Sequence, residues 1–202
     1  MEYLVLGFFT GLSLILAIGA QNIFVIEQGL KKQYVLLVCL ICSISDLILI
    51  FLGIFLFHYF VQYFNSTIEL ILNILLIIFL IHFIYSKIKS YNSKVEFNRE
   101  TQDVSKFDIF LKTLGFTYLN PHVYSDTVFF LGNFSKNFVF SDKILFGVGA
   151  SLASFLFFFL IGYLSKYLSH YAKSEKVWKI INLFIIIFMS MLTIFVILET
   201  IN

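Results

Sequence analysis

Two aspartates, Asp46 and Asp126, are the residues of this sequence best suited to do chemistry. Asp46 is the only formally charged residue between positions 33 and 68, and Asp126 is the only one between positions 113 and 135. A carboxylate at the centre of a membrane span costs about 2.5 to 3.5 kcal/mol on insertion scales, and such acids mark substrate, ion or proton pathways. The two acids therefore predict cation binding or proton transfer inside a membrane.

The composition indicates which elements must position these acids. Of the 202 residues, 60% are hydrophobic and 13% are charged, which leaves too little polar surface to cover a soluble globule. The net charge is only +2 and the basic residues lie between apolar stretches, so nothing indicates a nucleic-acid surface. Because Met1-Glu2-Tyr3 lacks the basic region of a cleavable signal, the first apolar stretch is expected to be a true span.

Six apolar stretches are long enough to cross the ~30 Å hydrocarbon core of a bilayer. They cover residues 4–26, 34–61, 68–85, 109–131, 144–164 and 177–198. We therefore predict an all-α integral membrane protein with six transmembrane helices. Residues 1–86 and 109–202 each contain three spans, and residues 87–108 are expected to form a solvated cytoplasmic linker.

The distribution of Lys and Arg predicts the orientation. If all six stretches cross, twelve of the 14 basic residues lie on one side and only Lys136 and Lys143 on the other. The positive-inside rule then places the loops after spans one, three and five in the cytoplasm and both termini outside. Glu27, at the cytoplasmic end of the first span, is expected to be a solvated helix end rather than a gate.

The fourth span is interrupted by Pro121, the only proline in the chain. Proline removes a backbone donor and clashes with the preceding turn, so we predict that the helix opens near Leu119 and Asn120. His122, Tyr124 and Asp126 follow within two turns. A packing kink without function is the alternative interpretation of the proline.

The first span has an interruption at the corresponding place. The run Gly19-Ala20-Gln21-Asn22 puts a glycine and two amides inside an apolar helix, and a shift of 101 residues superimposes Gly19 on Asn120. Because each half contains three spans, the halves face opposite ways across the bilayer, which is the inverted-repeat plan of many secondary transporters. We predict two inverted three-helix repeats with broken helices 1 and 4 and a substrate site near the midplane. The two aspartates do not coincide under this shift, so they are not two copies of one ligand.

Four motifs in order along the chain have a recognisable pattern. They are Gly19-Ala20-Gln21-Asn22-Ile23-Phe24-Val25-Ile26-Glu27-Gln28-Gly29, Ile44-Ser45-Asp46, Leu119-Asn120-Pro121-His122-Val123-Tyr124-Ser125-Asp126-Thr127 and Ile180-Ile181-Asn182. The chain resembles the LysE/ArgO family of basic amino acid exporters over nearly its whole length. It departs from that pattern at Ala20, where these exporters usually have proline, and at Ser125, where leucine is usual.

The resemblance implies a secondary transporter of the bacterial inner membrane that exports L-lysine or L-arginine by alternating access, with proton or membrane-potential coupling. With such a substrate, we expect Asp46 and Asp126 to bind its cationic groups, or one of them to carry a proton. The amides of Gln21, Asn22 and Asn120 and the half-helix N-termini would hold its carboxylate. The other expected site residues are His122 and Tyr124, which shape or gate the cavity, and the helix-break positions Gly19, Ala20 and Pro121.

Other functions stay open at this stage. Relatives with the same fold export neutral amino acids or divalent metal ions, although two separated acids without a His or Cys cluster are a poor metal site. A membrane-embedded enzyme would need more than the pair of His122 and Asp126, since no nucleophile or ligand triad accompanies them. No cofactor is expected, and the partners expected are membrane lipid and a small-molecule substrate. Small residues of the fifth span permit close packing within one protomer or across a homodimer.

Overall fold

A computed structural model describes residues 1–16, 19–63, 66–92, 105–170 and 175–201, and this part of the chain is helical and contains no strand. Its helices are α1 (Glu2–Ile15), α2 (Ala20–Lys31), α3 (Val35–Tyr63), α4 (Ser66–Asn92), α5 (Lys106–Tyr118), α6 (Pro121–Tyr124), α7 (Leu131–Ser135), α8 (Phe140–Leu168) and α9 (Glu175–Ile201). A π-helical segment, Ser125–Phe130, joins α6 to α7. The predicted all-α fold is confirmed.

Several of these helices are long and apolar enough to cross a membrane. Four such stretches lie in α3, α4, α8 and α9, at Val35–Phe57, Leu70–Lys89, Phe140–Leu168 and Lys179–Leu198. The α1–α2 pair, which is bent by 83°, would make a fifth span. The predicted fourth span is not one continuous helix, because it is divided into α5, α6, the π-helical segment and α7. The described residues thus form a multi-pass membrane protein with four to five span candidates.

The breaks in the first and fourth spans lie where the sequence predicted them. The first helix ends at Ile15 and the next begins at Ala20, while α5 ends at Tyr118 and α6 begins at Pro121. Both flanking helices extend into the expected linker 87–108, because α4 continues to Asn92 and α5 begins at Lys106. The rest of that linker, residues 93–104, lies outside the described residues.

Each broken segment packs against an unbroken helix. The α1 and α2 helices both contact α8, whereas α5, the π-helical segment and α7 contact α3, and α4 packs on α9. Glycines allow these close approaches, as small residues do between membrane helices. A Cβ on Gly11 would lie 2.9 Å from Ala150 Cα, and one on Gly149 only 2.1 Å from Leu4 O.

The expectation of a solvated Glu27 is wrong. Its side chain is buried, with the residue 1% exposed, and Oε1 forms ion pairs with Lys31 Nζ at 2.5 Å and with Lys87 Nζ. The second of these partners comes from α4, which continues past the predicted end of the third span at residue 85. Only the packing of α4 near α2 could show that Lys87 faces Glu27.

Candidate functional site

One cavity of about 370 Å³ lies where the two broken segments meet α3, α8 and α9. This volume falls within the ~300–1,000 Å³ typical of small-molecule sites. Its wall is mostly apolar, with a few polar side chains, as such sites usually are. The polar residues of the wall are Gln21, Asn22, Asp46, Asn120, His122, Asp126, Thr127 and Ser154.

Asp46 is held in the cavity wall by a hydrogen bond from a neighbouring helix. The residue is 5% exposed on α3, and its Oδ2 accepts a hydrogen bond from Ser154 Oγ of α8 at 2.8 Å. Hydrogen bonds to charged groups contribute about 1.5 to 3 kcal/mol. Ser154 is therefore a positioning residue that the sequence analysis missed. In the sequence it is one of several small residues of span five, and nothing distinguishes it from a packing residue.

Asp126 lies on the π-helical segment Ser125–Phe130 and is half-buried. Single π-helical turns inside helices occur frequently at functional sites. Asp46, Asp126 and His122 all belong to the wall of the same cavity. Two carboxylates that face one cavity repel each other, so the cavity favours a bound cation or a proton. No signal in the sequence indicates the π-helical geometry.

The break between α1 and α2 directs a helix N-terminus into the cavity. Gly19 is extended, with φ −113° and ψ −177°, and helical geometry resumes at Ala20. The first backbone N–H groups of a helix have no intrahelical acceptor and carry partial positive charge. Asn22 Nδ2 donates to Ile15 O at 3.1 Å and so satisfies a carbonyl freed by the break. Gln21 Nε2 is buried and has no hydrogen-bond acceptor among the described residues.

The break before α6 is stabilised by its own capping residue. Asn120 Oδ1 accepts a hydrogen bond from the backbone N–H of His122 at 3.1 Å. Pro121 occupies the first helical position, where a backbone N–H would have no intrahelical acceptor, so the missing N–H of proline costs nothing. Tyr124 Oη donates to Tyr118 O at 2.9 Å and so spans the break. Pro121 and Tyr124 stabilise the break and lie outside the cavity wall as far as the described residues form it.

His122 lies at an exposed edge of the cavity. Its ring stacks on Phe195 of α9, with ring centroids 6.0 Å apart and an angle of 29° between the planes. Both side chains belong to the cavity wall. A rotation of either ring would therefore change access to the cavity from this edge.

Most of the residues that the sequence selected come together in this one cavity. The wall contains Gly19, Ala20, Gln21, Asn22, Asp46, Asn120, His122 and Asp126. Among the described residues, no group of three or more His, Cys, Asp or Glu side chains is arranged to hold a metal ion. The cavity instead combines two carboxylates with helix N-termini and amides, which suits a ligand that has both cationic and anionic groups.

Comparison with known proteins places this sequence among transporters. Residues 12–200 match the family described as LysE type translocator. The arginine exporter protein ArgO of Pectobacterium carotovorum is 34% identical over 181 residues, which cover 89% of this chain and 88% of that protein. ArgO of Salmonella typhimurium is 31% identical over 186 residues, or 92% of this chain and 88% of that protein. No solved structure gives a significant match.

Proposed function

This chain belongs to the LysE type translocator family, and we propose that it exports the basic amino acids lysine and arginine from the cytoplasm. Membership in a translocator family makes it a transporter rather than an enzyme. The names of its relatives, which refer to arginine export, support this substrate class. The proposed location is the bacterial inner membrane, with both termini outside.

The observation that best supports this substrate is the opposition of charges across the cavity. A basic amino acid presents an α-carboxylate, an α-ammonium group and a cationic side chain. Asp46 and Asp126 offer two anionic partners, whereas the N-terminus of α2 and the buried amide of Gln21 offer donors to a carboxylate. A helix N-terminus carries roughly half a positive charge, so the loaded cavity would be nearly balanced in charge.

The packing of the helices supports six crossings in two inverted repeats. Gly11 contacts Ala150 and Gly29 contacts Ser165, so the chain from α1 to α2 runs in the same direction as α8. If α5 to α7 formed a re-entrant loop, α8 would be the fourth crossing and would run opposite to the first. The same direction fits α8 as the fifth crossing. In addition, the first span packs on the fifth and the fourth packs on the second, as a two-fold repeat requires.

Coupling to protons follows from the charge of the substrate. Moving one positive charge out of a cell with a negative interior costs about 2.3 kcal/mol per 100 mV. Exchange for an inward proton removes this cost. After the substrate leaves, Asp46 or Asp126 would take a proton in its place and allow the empty cavity to return to the cytoplasmic side. Of the two couplings considered, we propose proton exchange.

Uptake into inside-out membrane vesicles tests this proposal. Arginine, lysine, a divalent cation and citrulline, which has the shape of arginine without its charge, are compared in wild-type and control membranes. We expect uptake of arginine and lysine that increases when the vesicle lumen is made acidic, and little uptake of citrulline or the divalent cation. Equal uptake of arginine and citrulline would contradict a site built for cations.

Isosteric variants test the two carboxylates. Asp46→Asn and Asp126→Asn each remove an ionic hydrogen bond of about 1.5 to 3 kcal/mol, so the arginine KM is expected to rise at least about tenfold. Asp108→Asn, in the exposed first turn of α5, is the matched control. If either cavity variant transports like Asp108→Asn, that aspartate does not bind the substrate.

A further inference from the structure

Three layers of side chains follow one another along α2 and α4, on the side of the cavity that the proposed orientation turns to the cytoplasm. The order is Gln21, Phe24 and Glu27 along α2, and Leu80, Phe83 and Lys87 along α4. Gln21 and Leu80 belong to the cavity wall. A helix rises 1.5 Å per residue, so Glu27 lies about 9 Å beyond Gln21 along the helix axis.

The middle layer, here called the aromatic layer, consists of Phe24, Phe83 and Phe116. Their ring centroids lie 4.8 Å apart for Phe24 and Phe116, 5.0 Å for Phe83 and Phe116, and 6.4 Å for Phe24 and Phe83. All three are buried. Along α2 and α4 the aromatic layer lies between the Gln21 and Leu80 end of the cavity wall and the charged residues beyond it, so a substrate that passes from those charged residues to the cavity along this side must move the rings apart.

The third layer, here called the cytoplasmic cluster, consists of Glu27, Lys31 and Lys87. Glu27 Oε1 accepts hydrogen bonds from both ammonium groups, and Lys87 Nζ also lies 5.4 Å from the ring centroid of Phe83. Lys87 is only 6% exposed. Glu27 Oε2 is buried and has no hydrogen-bond partner among the described residues. Glu27 thus keeps an acceptor for a cation, and a carboxylate can bind a guanidinium through both oxygens.

Fold stability alone does not explain this cluster. Taking charges out of water is costly, and replacing a buried ion pair by packed apolar residues is often neutral or stabilising. The Lys87 side chain ends in an ammonium group on an alkyl chain, and a lysine substrate carries the same group at the end of its side chain. The same carboxylate that binds Lys87 can therefore bind the side chain of a basic amino acid.

We propose that Glu27 is a second cation site of the transporter, at which the cationic group of the substrate replaces Lys87 when α2 and α4 separate. This inference rests on the proposed export of basic amino acids and on the proposed orientation. In the closed state Lys87 occupies Glu27 and holds α4 against α2 across the aromatic layer. The substrate binds Glu27 only in the open state, so its binding shifts the population toward that state. Lys87 acts as a tethered competitor of the substrate.

The test compares the arginine KM of variants in inside-out vesicles, where the cytoplasmic face meets the medium. Lys87→Gln removes the competitor and keeps Glu27, which still has Lys31 as a partner, so we expect the KM to fall about threefold or more. Glu27→Gln/Lys87→Gln removes the site without leaving an unpaired carboxylate, and its KM is expected to rise about tenfold, equivalent to about 1.4 kcal/mol. Lys89→Gln, an exposed residue on the same helix, is the control and should leave the KM unchanged.

Opposite shifts in the two variants support the second cation site. A purely structural ion pair predicts less folded protein and a lower Vmax in both variants with the KM unchanged, and that result overturns the inference. Shifts of the KM in the same direction overturn it as well. If the double variant does not elute as a single folded species, Lys87→Gln compared with Lys89→Gln decides, because equal KM values contradict the competitor role. Absence of arginine uptake by the wild-type protein would instead refute the proposed function itself.

Discussion

The contact between Gly53 of α3 and the π-helical segment provides a direct test of how the site is assembled. In Gly53→Ala, the added Cβ would lie 2.6 Å from Val128 Cα and 2.7 Å from Thr127 O, whereas ordinary contacts are 3.4–4 Å. Both neighbours are backbone atoms and cannot rotate away, so the two backbones must separate by about 0.8 Å. Gly53 lies two turns beyond Asp46 and Thr127 directly follows Asp126, so this separation also moves the two carboxylates apart.

The expected magnitude follows from the size of the displacement. Overpacking of this kind costs about 1 to 3 kcal/mol. For a chain of about 200 residues, each kcal/mol lowers the thermal midpoint by about 2–4 °C, so the expected decrease is about 2 to 12 °C. Misplacement by about 1 Å can reduce a rate by up to about 100-fold. We therefore expect arginine uptake to fall at least about tenfold.

Two assays check this expectation. Thermal unfolding of the purified protein measures the stability, and arginine uptake into inside-out vesicles, normalised to the folded amount, measures transport. Gly115→Ala is the matched control, because the three atoms nearest to its added methyl group all belong to the ring of the Phe79 side chain, which can adjust; the nearest is 2.7 Å away. A wild-type midpoint and wild-type uptake in Gly53→Ala would refute the reasoning, as would equal damage by Gly115→Ala.

Variants of Ser154, Asn120 and Tyr124 test individual contacts of the site. Ser154→Ala leaves a buried Asp46 oxygen without its 2.8 Å donor, so the unfolding free energy is expected to fall by about 1 to 3 kcal/mol, and combining it with Asp46→Asn should add little. Asn120→Ala removes a helix cap and should lower the free energy of unfolding by about 1 kcal/mol. Pro121→Ala should lower it less, because a backbone N–H at the first helical position has no intrahelical acceptor. The reverse order would contradict this role of Asn120. Tyr124→Phe removes the hydrogen bond across the break, so the free energy of unfolding should fall by about 0.5 to 1.5 kcal/mol while the arginine KM stays unchanged. A large change in the KM would instead support the role in shaping or gating the cavity that the sequence suggested.

Residue types predicted the two helix breaks because their cause is local. A proline inside a helix removes a backbone hydrogen bond and clashes with the preceding turn, and α5 ends before Pro121. Gly19 beside two amides similarly indicated the break that α2 follows. The exact number of membrane crossings was less accessible, since a broken span has no continuous apolar helix and its path depends on the helices against which it packs.

The cavity could be predicted in part from charge alone. An acid that is isolated in an apolar span is costly, so Asp46 and Asp126 were recognisable without knowledge of their neighbours. Their partners were not recognisable. Ser154 looks like one small residue among several, and the π-helical turn that carries Asp126 has no pattern of its own. Glu27 was misread, because its partner Lys87 lies 60 positions away and only the approach of α2 and α4 brings them together.

Local features of the sequence suffice to predict an all-α membrane protein with two interrupted apolar segments and two carboxylates inside it. These features follow from composition, from a single proline and from the cost of a charge in hydrocarbon, all of which act along a few neighbouring residues. The tertiary structure decided that both breaks and both carboxylates face one cavity. It also decided that three aromatic rings and a buried ion pair pack together beyond the Gln21 and Leu80 end of the cavity wall. Such contacts join residues that are far apart in the chain, and their geometry depends on helix packing that no local pattern encodes.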